Sequence, residues 1–61
     1  MDALTRQSLI ATRDRLTARR RAYSKRQEVS DAQGFASNYG DVIANLTIDI
    51  DNLTAILAEG E

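Results

Sequence analysis

With 61 residues, of which 14 are Leu, Ile, Val or Phe, the chain has room for one domain with a small hydrophobic core. It contains neither Cys nor His, which excludes disulfides and thiolate metal sites and removes the commonest catalytic base, so we expect no enzyme activity and no cofactor. Residues 1–29 carry eight basic and three acidic side chains, whereas residues 30–61 carry six acidic and no basic ones. This division is typical either of a basic half that binds nucleic acid or of two helices that attract each other.

The first residues of the chain are polar, and no apolar run approaches the roughly 20 residues that a transmembrane helix needs. We therefore predict neither a signal peptide nor a transmembrane segment, and no membrane partner. The expected location is a soluble intracellular compartment, which includes the cytoplasm, a host cytoplasm or a virion.

A first helix is predicted over residues 3–29, because this stretch holds no Gly or Pro and is rich in good helix formers. Asp2 or Thr5 can cap its start. Its apolar residues form two edges that flank a polar strip. One edge is Leu9, Leu16 and Tyr23, and the other is Leu4, Ala11, Ala18, Ala22 and Val29. Two apolar edges suit a helix with two neighbours, as in a helical bundle.

The same helix carries seven cations within fourteen residues. They are Arg13, Arg15, Arg19, Arg20, Arg21, Lys25 and Arg26. Such a run can neutralise nucleic-acid phosphates or contact an acidic protein surface. The cations point all round the helix and are accompanied by one Tyr, so we favour a solvated face that pairs in part with the acidic second half.

A turn is predicted over residues 30–40. Ser30-Asp31 resembles a cap, Gly34 can end a helix, and Asn38-Tyr39-Gly40-Asp41 is rich in turn formers. We expect Phe35 and Tyr39 to fold back and plug the end of the bundle. Asp41 is expected to cap the second helix.

The second helix is predicted over residues 41–59 from a heptad seam with spacings of three and four. The seam residues are Ile43, Leu46, Ile50, Leu53 and Leu57. Residues 46–51 also alternate between apolar and polar, which is the period of a strand, but this alternation is much shorter than the heptad pattern.

The expected fold is therefore all-α, a single antiparallel hairpin over residues 1–61 in which the longer first helix overhangs at its N-terminus. Pairing of hairpins into a helical bundle would cover the remaining apolar edge. The predicted protein interface comprises Leu9, Leu16, Tyr23, Val42, Ile43, Leu46, Ile50, Leu53, Ile56 and Leu57. We expect a structural or interaction protein that self-associates or docks on a larger protein, with a nucleic-acid-binding module as the alternative.

In its length, composition and helical character, though in no particular motif, the chain resembles small phage-encoded accessory proteins. These include virion connector pieces and inhibitors of host factors. The resemblance implies a role in virion assembly or in host inhibition.

Overall fold

The computed structural model describes residues 1–35 and 38–60, so part of the predicted turn lies outside the described residues. It contains two α-helices, α1 (Ala3–Gln33) and α2 (Gly40–Glu59), which form an antiparallel hairpin. The prediction of an all-α hairpin is confirmed. The strand considered for residues 46–51 is wrong, because these residues lie within α2.

The start of α1 is capped by Asp2. Its carboxylate Oδ1 accepts the backbone N–H of Thr5 at 2.7 Å, and its own backbone is extended. Hydrogen bonds from the backbone and side chain of Thr5 lower the pKa of Asp2, since they stabilise the ionised carboxylate. Of the two predicted caps, the structure uses Asp2.

The end of α1 lies four residues beyond the predicted one, at Gln33. Gly34 adopts the left-handed conformation with φ of 75° and donates its N–H to the carbonyl of Asp31 at 3.2 Å. Phe35 donates to the carbonyl of Ser30 at 3.0 Å, which completes a Schellman motif. Ser and Asp disfavour a helix interior by only about 0.5 kcal/mol each, so the helix continues until a residue can adopt positive φ.

The start of α2 is sealed by side chains other than the predicted cap. Tyr39 is the N-cap residue and makes no side-chain cap hydrogen bond. Instead, Asn38 accepts the N–H of Gly40 at 2.8 Å, and Gln27 of α1 accepts the N–H of Tyr39 at 2.7 Å. The prediction that Asp41 caps α2 is wrong. Asp41 lies in the first helical turn, where its charge suits the helix dipole.

The longer α1 extends past α2 at the connected end of the hairpin, and the predicted overhang at the N-terminus is wrong. Arg6 donates to the carbonyl of Leu57 at 3.4 Å, so the start of α1 lies beside the end of α2. At the other end, Gln27 already lies opposite Tyr39, and α1 continues for roughly another 9 Å. The overhang is at this end because the open ends of the two helices are level and α1 continues six residues beyond Gln27.

The core of the hairpin is thin. Three apolar side chains are buried, namely Leu46, Ile50 and Leu57, and no described side chain is less than 2% exposed. The molecule measures 48 × 15 × 11 Å. Its accessible surface is 4537 Å², against about 4,000 Å² for a compact monomer of this mass. Two helices in one layer therefore leave apolar surface without a cover.

Candidate protein-interaction site

The heptad seam of α2 faces α1. Leu46, Ile50 and Leu57 are buried there, and Ile43 and Leu53 are half-buried. The central part of the predicted interface is therefore covered within the chain itself. A second chain can contact only what this intramolecular packing leaves exposed.

The face of α1 that meets this seam consists of two heptad rows, and each of their residues is at least half-buried. The first row consists of the predicted apolar edge, Leu9, Leu16 and Tyr23, and continues to Ser30. The second row consists of Arg6, Arg13, Arg20 and Gln27. Arg13 and Arg20, which were predicted as possible contacts to nucleic acid or an acidic partner, thus lie beside α2. The seven-residue spacing of the second row was the sequence signal for this position, and Arg6 and Gln27 were missed.

Arginines of the second row close one side of the hairpin. Arg20 donates from Nη1 to the hydroxyl oxygen of Thr47 at 3.3 Å, while that hydroxyl donates its proton to the carbonyl of Ile43 at 2.9 Å. Arg6 supplies a cation to the last turn of α2, which has no basic residue of its own, through its bond to Leu57. We call this the arginine side.

A shallow cavity of about 300 Å³ lies on the arginine side, near the open ends of the helices, between Arg6, Ile10 and Arg13 of α1 and Thr54 of α2. Ile10 is half-buried there and was also missed by the sequence analysis. Another cavity, of about 320 Å³, lies at the connected end of the hairpin. Both cavities are open to solvent, and neither encloses a cluster of catalytic groups.

The other side of the hairpin is apolar. On a helix wheel, Leu9, Leu16 and Tyr23 are rotated roughly 60° from the arginine row, away from the arginine side. On α2, Val42, Leu53 and Ile56 are rotated roughly 140° from Thr47 and Thr54, and this rotation carries them to the same apolar side. We call this surface the open face, formed by Leu9, Leu16, Tyr23, Val42, Leu53 and Ile56. Ile56 is 44% exposed and the other five are half-buried.

Charged residues border the open face. Arg15 and Arg19 are exposed on α1, and Asp49 is exposed on α2. Among the described residues these three form no ion pair within the hairpin. Arg21, Lys25 and Arg26 are also exposed, so five of the seven predicted basic contacts point to solvent.

At the connected end, Tyr23 and Tyr39 contact each other with their ring centroids 5.6 Å apart, and the guanidinium of Arg26 lies 5.3 Å from the Tyr23 ring. Phe35 does not plug the end as predicted, since it is 64% exposed and lines a cavity of about 320 Å³. Tyr39 alone fills the predicted position.

Comparison with protein-family models, curated proteins and solved structures finds no match. Within the described residues, neither helix is both long and apolar enough to cross a membrane.

Proposed function

We propose that this chain is a small, non-enzymatic interaction protein that pairs with a second copy of itself through the open face and forms a four-helix bundle. The observation that supports the proposal is the distribution of apolar side chains. The hairpin buries three of them, while six remain partly exposed along one side. A two-layer arrangement of helices is the usual way to cover such a surface.

A second copy of the chain is well suited to this role. A stable interface removes about 800 Å² from each partner, which is roughly a sixth of the 4537 Å² that the hairpin exposes. The open face also has cations along its α1 border and an acid along its α2 border. One surface therefore carries both charge signs, as a self-complementary two-fold interface requires.

The proposal is tested by the molar mass of the purified protein, measured by sedimentation equilibrium over a wide range of concentration. We expect a species of twice the 6.8 kDa chain mass. Ile56→Asp places a charge in the apolar interface at two symmetric positions and should weaken pairing roughly a hundredfold or more.

The matched control is Ile48→Asp. Ile48 is another exposed isoleucine of α2, 57% exposed against 44% for Ile56, but it points away from both α1 and the open face. This variant should pair like the wild type. A helical wild-type protein that stays monomeric at every concentration, or equal behaviour of the two variants, would overturn the proposal.

A larger protein is the other partner that could cover the open face. The virion-assembly or host-inhibitor role implied by the resemblance would depend on such a contact. The same variants test that role. Ile56→Asp would then abolish binding to the larger protein, while the purified wild-type chain would remain monomeric.

The second candidate is nucleic-acid binding, which the exposure of Arg15, Arg19 and Arg26 along one line of α1 favours. Arg13 and Arg20, however, are half-buried beside α2, and Arg20 is hydrogen-bonded to Thr47. The acidic side chains of α2 would also repel the phosphates of a nucleic acid. This candidate predicts that changing Arg15, Arg19 and Arg26 together to Gln abolishes binding to nucleic acid. It also predicts that wild-type affinity falls by roughly one power of the salt concentration for each phosphate contact.

A further inference from the structure

We infer that charge selects one of the two possible dimers. In this dimer α1 of each copy lies beside α2 of the other, and both connections are at the same end of the bundle. Asp49 of each copy then lies between Arg15 and Arg19 of the second copy. This inference rests on the proposed pairing through the open face and adds its geometry. It assigns to the three bordering charges a function that the hairpin alone does not give them.

Two symmetric arrangements bring one open face onto another. A two-fold axis parallel to the helices places α2 of the second copy over α1, and the two connections lie at the same end. A two-fold axis across the helices places α1 over α1 and α2 over α2, and the connections lie at opposite ends. Because α1 carries the basic residues and α2 the acidic ones, the first arrangement joins opposite charges and the second joins like charges.

The register of the hairpin fixes which charges meet in the first arrangement. An axis parallel to the helices leaves every residue at its own height along the bundle. The hydrogen bonds of Gln27 with Tyr39 and of Arg20 with Thr47 agree in placing Asp49 at about the height of residues 17–18 of α1. That height falls between Arg15 and Arg19, which are about 6 Å apart along α1.

The direction of these side chains agrees with their height. On the helix wheel, Arg19 and Asp49 both lie roughly 90° from the line that joins α1 to α2, on the side of the open face. In the first arrangement they point at each other across the interface. In the second, Arg15 and Arg19 of the two copies meet near the centre of the bundle, where unpaired charges of the same sign are strongly unfavourable.

The test is Arg15→Glu with Arg19→Glu, measured by sedimentation equilibrium beside the wild type. Both residues are exposed, and neither side chain forms a hydrogen bond or ion pair with another described residue, so the hairpin should keep its helicity by circular dichroism. We expect the dissociation constant of the dimer to rise roughly 10- to 30-fold, because the charges at each of the two symmetric borders then repel instead of attract. Adding Asp49→Arg to the same chain should restore the wild-type dissociation constant within about threefold.

The matched control is Arg21→Glu with Lys25→Glu, which has the same spacing and the same change of charge on the opposite side of α1. It should leave pairing within about threefold of the wild type. If the wild type forms a dimer and Arg15→Glu with Arg19→Glu does not weaken it, this arrangement is wrong while the pairing itself stands. If the wild type forms no dimer, the proposed function fails first. If the control is weakened as much as the test variant, net charge rather than these contacts governs pairing, and the inference also fails.

Discussion

Replacing Gln27 with Met should destabilise the hairpin, because one side chain holds both the end of α1 and the start of α2. Its Oε1 accepts the backbone N–H of Tyr39 at 2.7 Å, and its Nε2 donates to Asp31 at 2.8 Å. Met has a similar size and helix propensity but can make neither bond.

The magnitude follows from these two bonds. A partly buried backbone N–H that loses its acceptor costs about 1 kcal/mol or slightly more. A Gln–Asp pair four residues apart on a helix contributes about 0.3 kcal/mol. Together we expect a loss of about 1.5 kcal/mol, which lowers the melting temperature of a domain of this size by roughly 6–12 °C.

The assay is thermal unfolding by circular dichroism at one fixed protein concentration, because association would also change the apparent stability. Gln7→Met is the control, since Gln7 is an exposed residue of α1 that lies on the side away from α2 on a helix wheel. Gln27→Glu is a second comparison. Its carboxylate can still accept the N–H of Tyr39 but repels Asp31, so we expect a loss of no more than about 0.5 kcal/mol.

Equal melting temperatures for Gln27→Met and Gln7→Met would refute this account of the connected end. It would mean that water or another group replaces Gln27 at no cost. A loss of stability in Gln27→Glu as large as that in Gln27→Met would show that the Asp31 bond, rather than the Tyr39 bond, is the important one.

Three further predictions concern the turn after α1, the core of the hairpin and the cap of α1. Gly34→Ala should lower the free energy of unfolding, measured in urea, by about 1 kcal/mol. No atom lies within 4 Å of the added Cβ, so the loss comes only from placing a side chain at positive φ. An unchanged urea midpoint would contradict the left-handed turn. In the same assay, Ile50→Ala should lower the free energy of unfolding by about 3 kcal/mol, because Ile50 is buried. Ile48→Ala, at an exposed position, should lower it by less than about 1 kcal/mol. Similar losses for the two variants would show that the seam is not the core. Because the pKa of Asp2 is lowered in the folded protein, its ionised carboxylate contributes to stability. This contribution is complete at pH values above the pKa of about 3.9 in the unfolded chain, and it is lost as the pH falls through the lower pKa of the folded protein. Asp2→Asn keeps the cap and should remove this pH dependence from the melting temperature. If the melting temperature of the variant varies with pH as that of the wild type does, Asp2 is not the source of the dependence.

The elements of the hairpin could be predicted from the sequence because heptad spacing depends only on the helical repeat. The predicted second helix began at residue 41 and the observed one begins at Gly40. The α1 edge formed by Leu9, Leu16 and Tyr23 was identified for the same reason. The end of α1 was misplaced because Ser30 and Asp31 were given more weight than the positive φ available at Gly34.

The position of the arginines could not be read from charge alone. Arg13 and Arg20 are as basic as Arg15 and Arg19, and only the pairing with α2 separates the half-buried row from the exposed border. Their seven-residue spacing, shared with Arg6, would have revealed the row. The same spacing extends to Gln27, but its bond to Tyr39 had no sequence signal, because that bond depends on the tertiary position of α2.

The most direct test of the central claim is an isotope-filtered nuclear Overhauser experiment on an equal mixture of labelled and unlabelled chains, which reports only contacts between copies. We predict contacts from Leu9 and Leu16 of one copy to Leu53 and Ile56 of the other, and no intermolecular contact at Ile48. Intermolecular signals confined to Ile48, or none at all in a fully helical sample, would contradict a bundle closed through the open face.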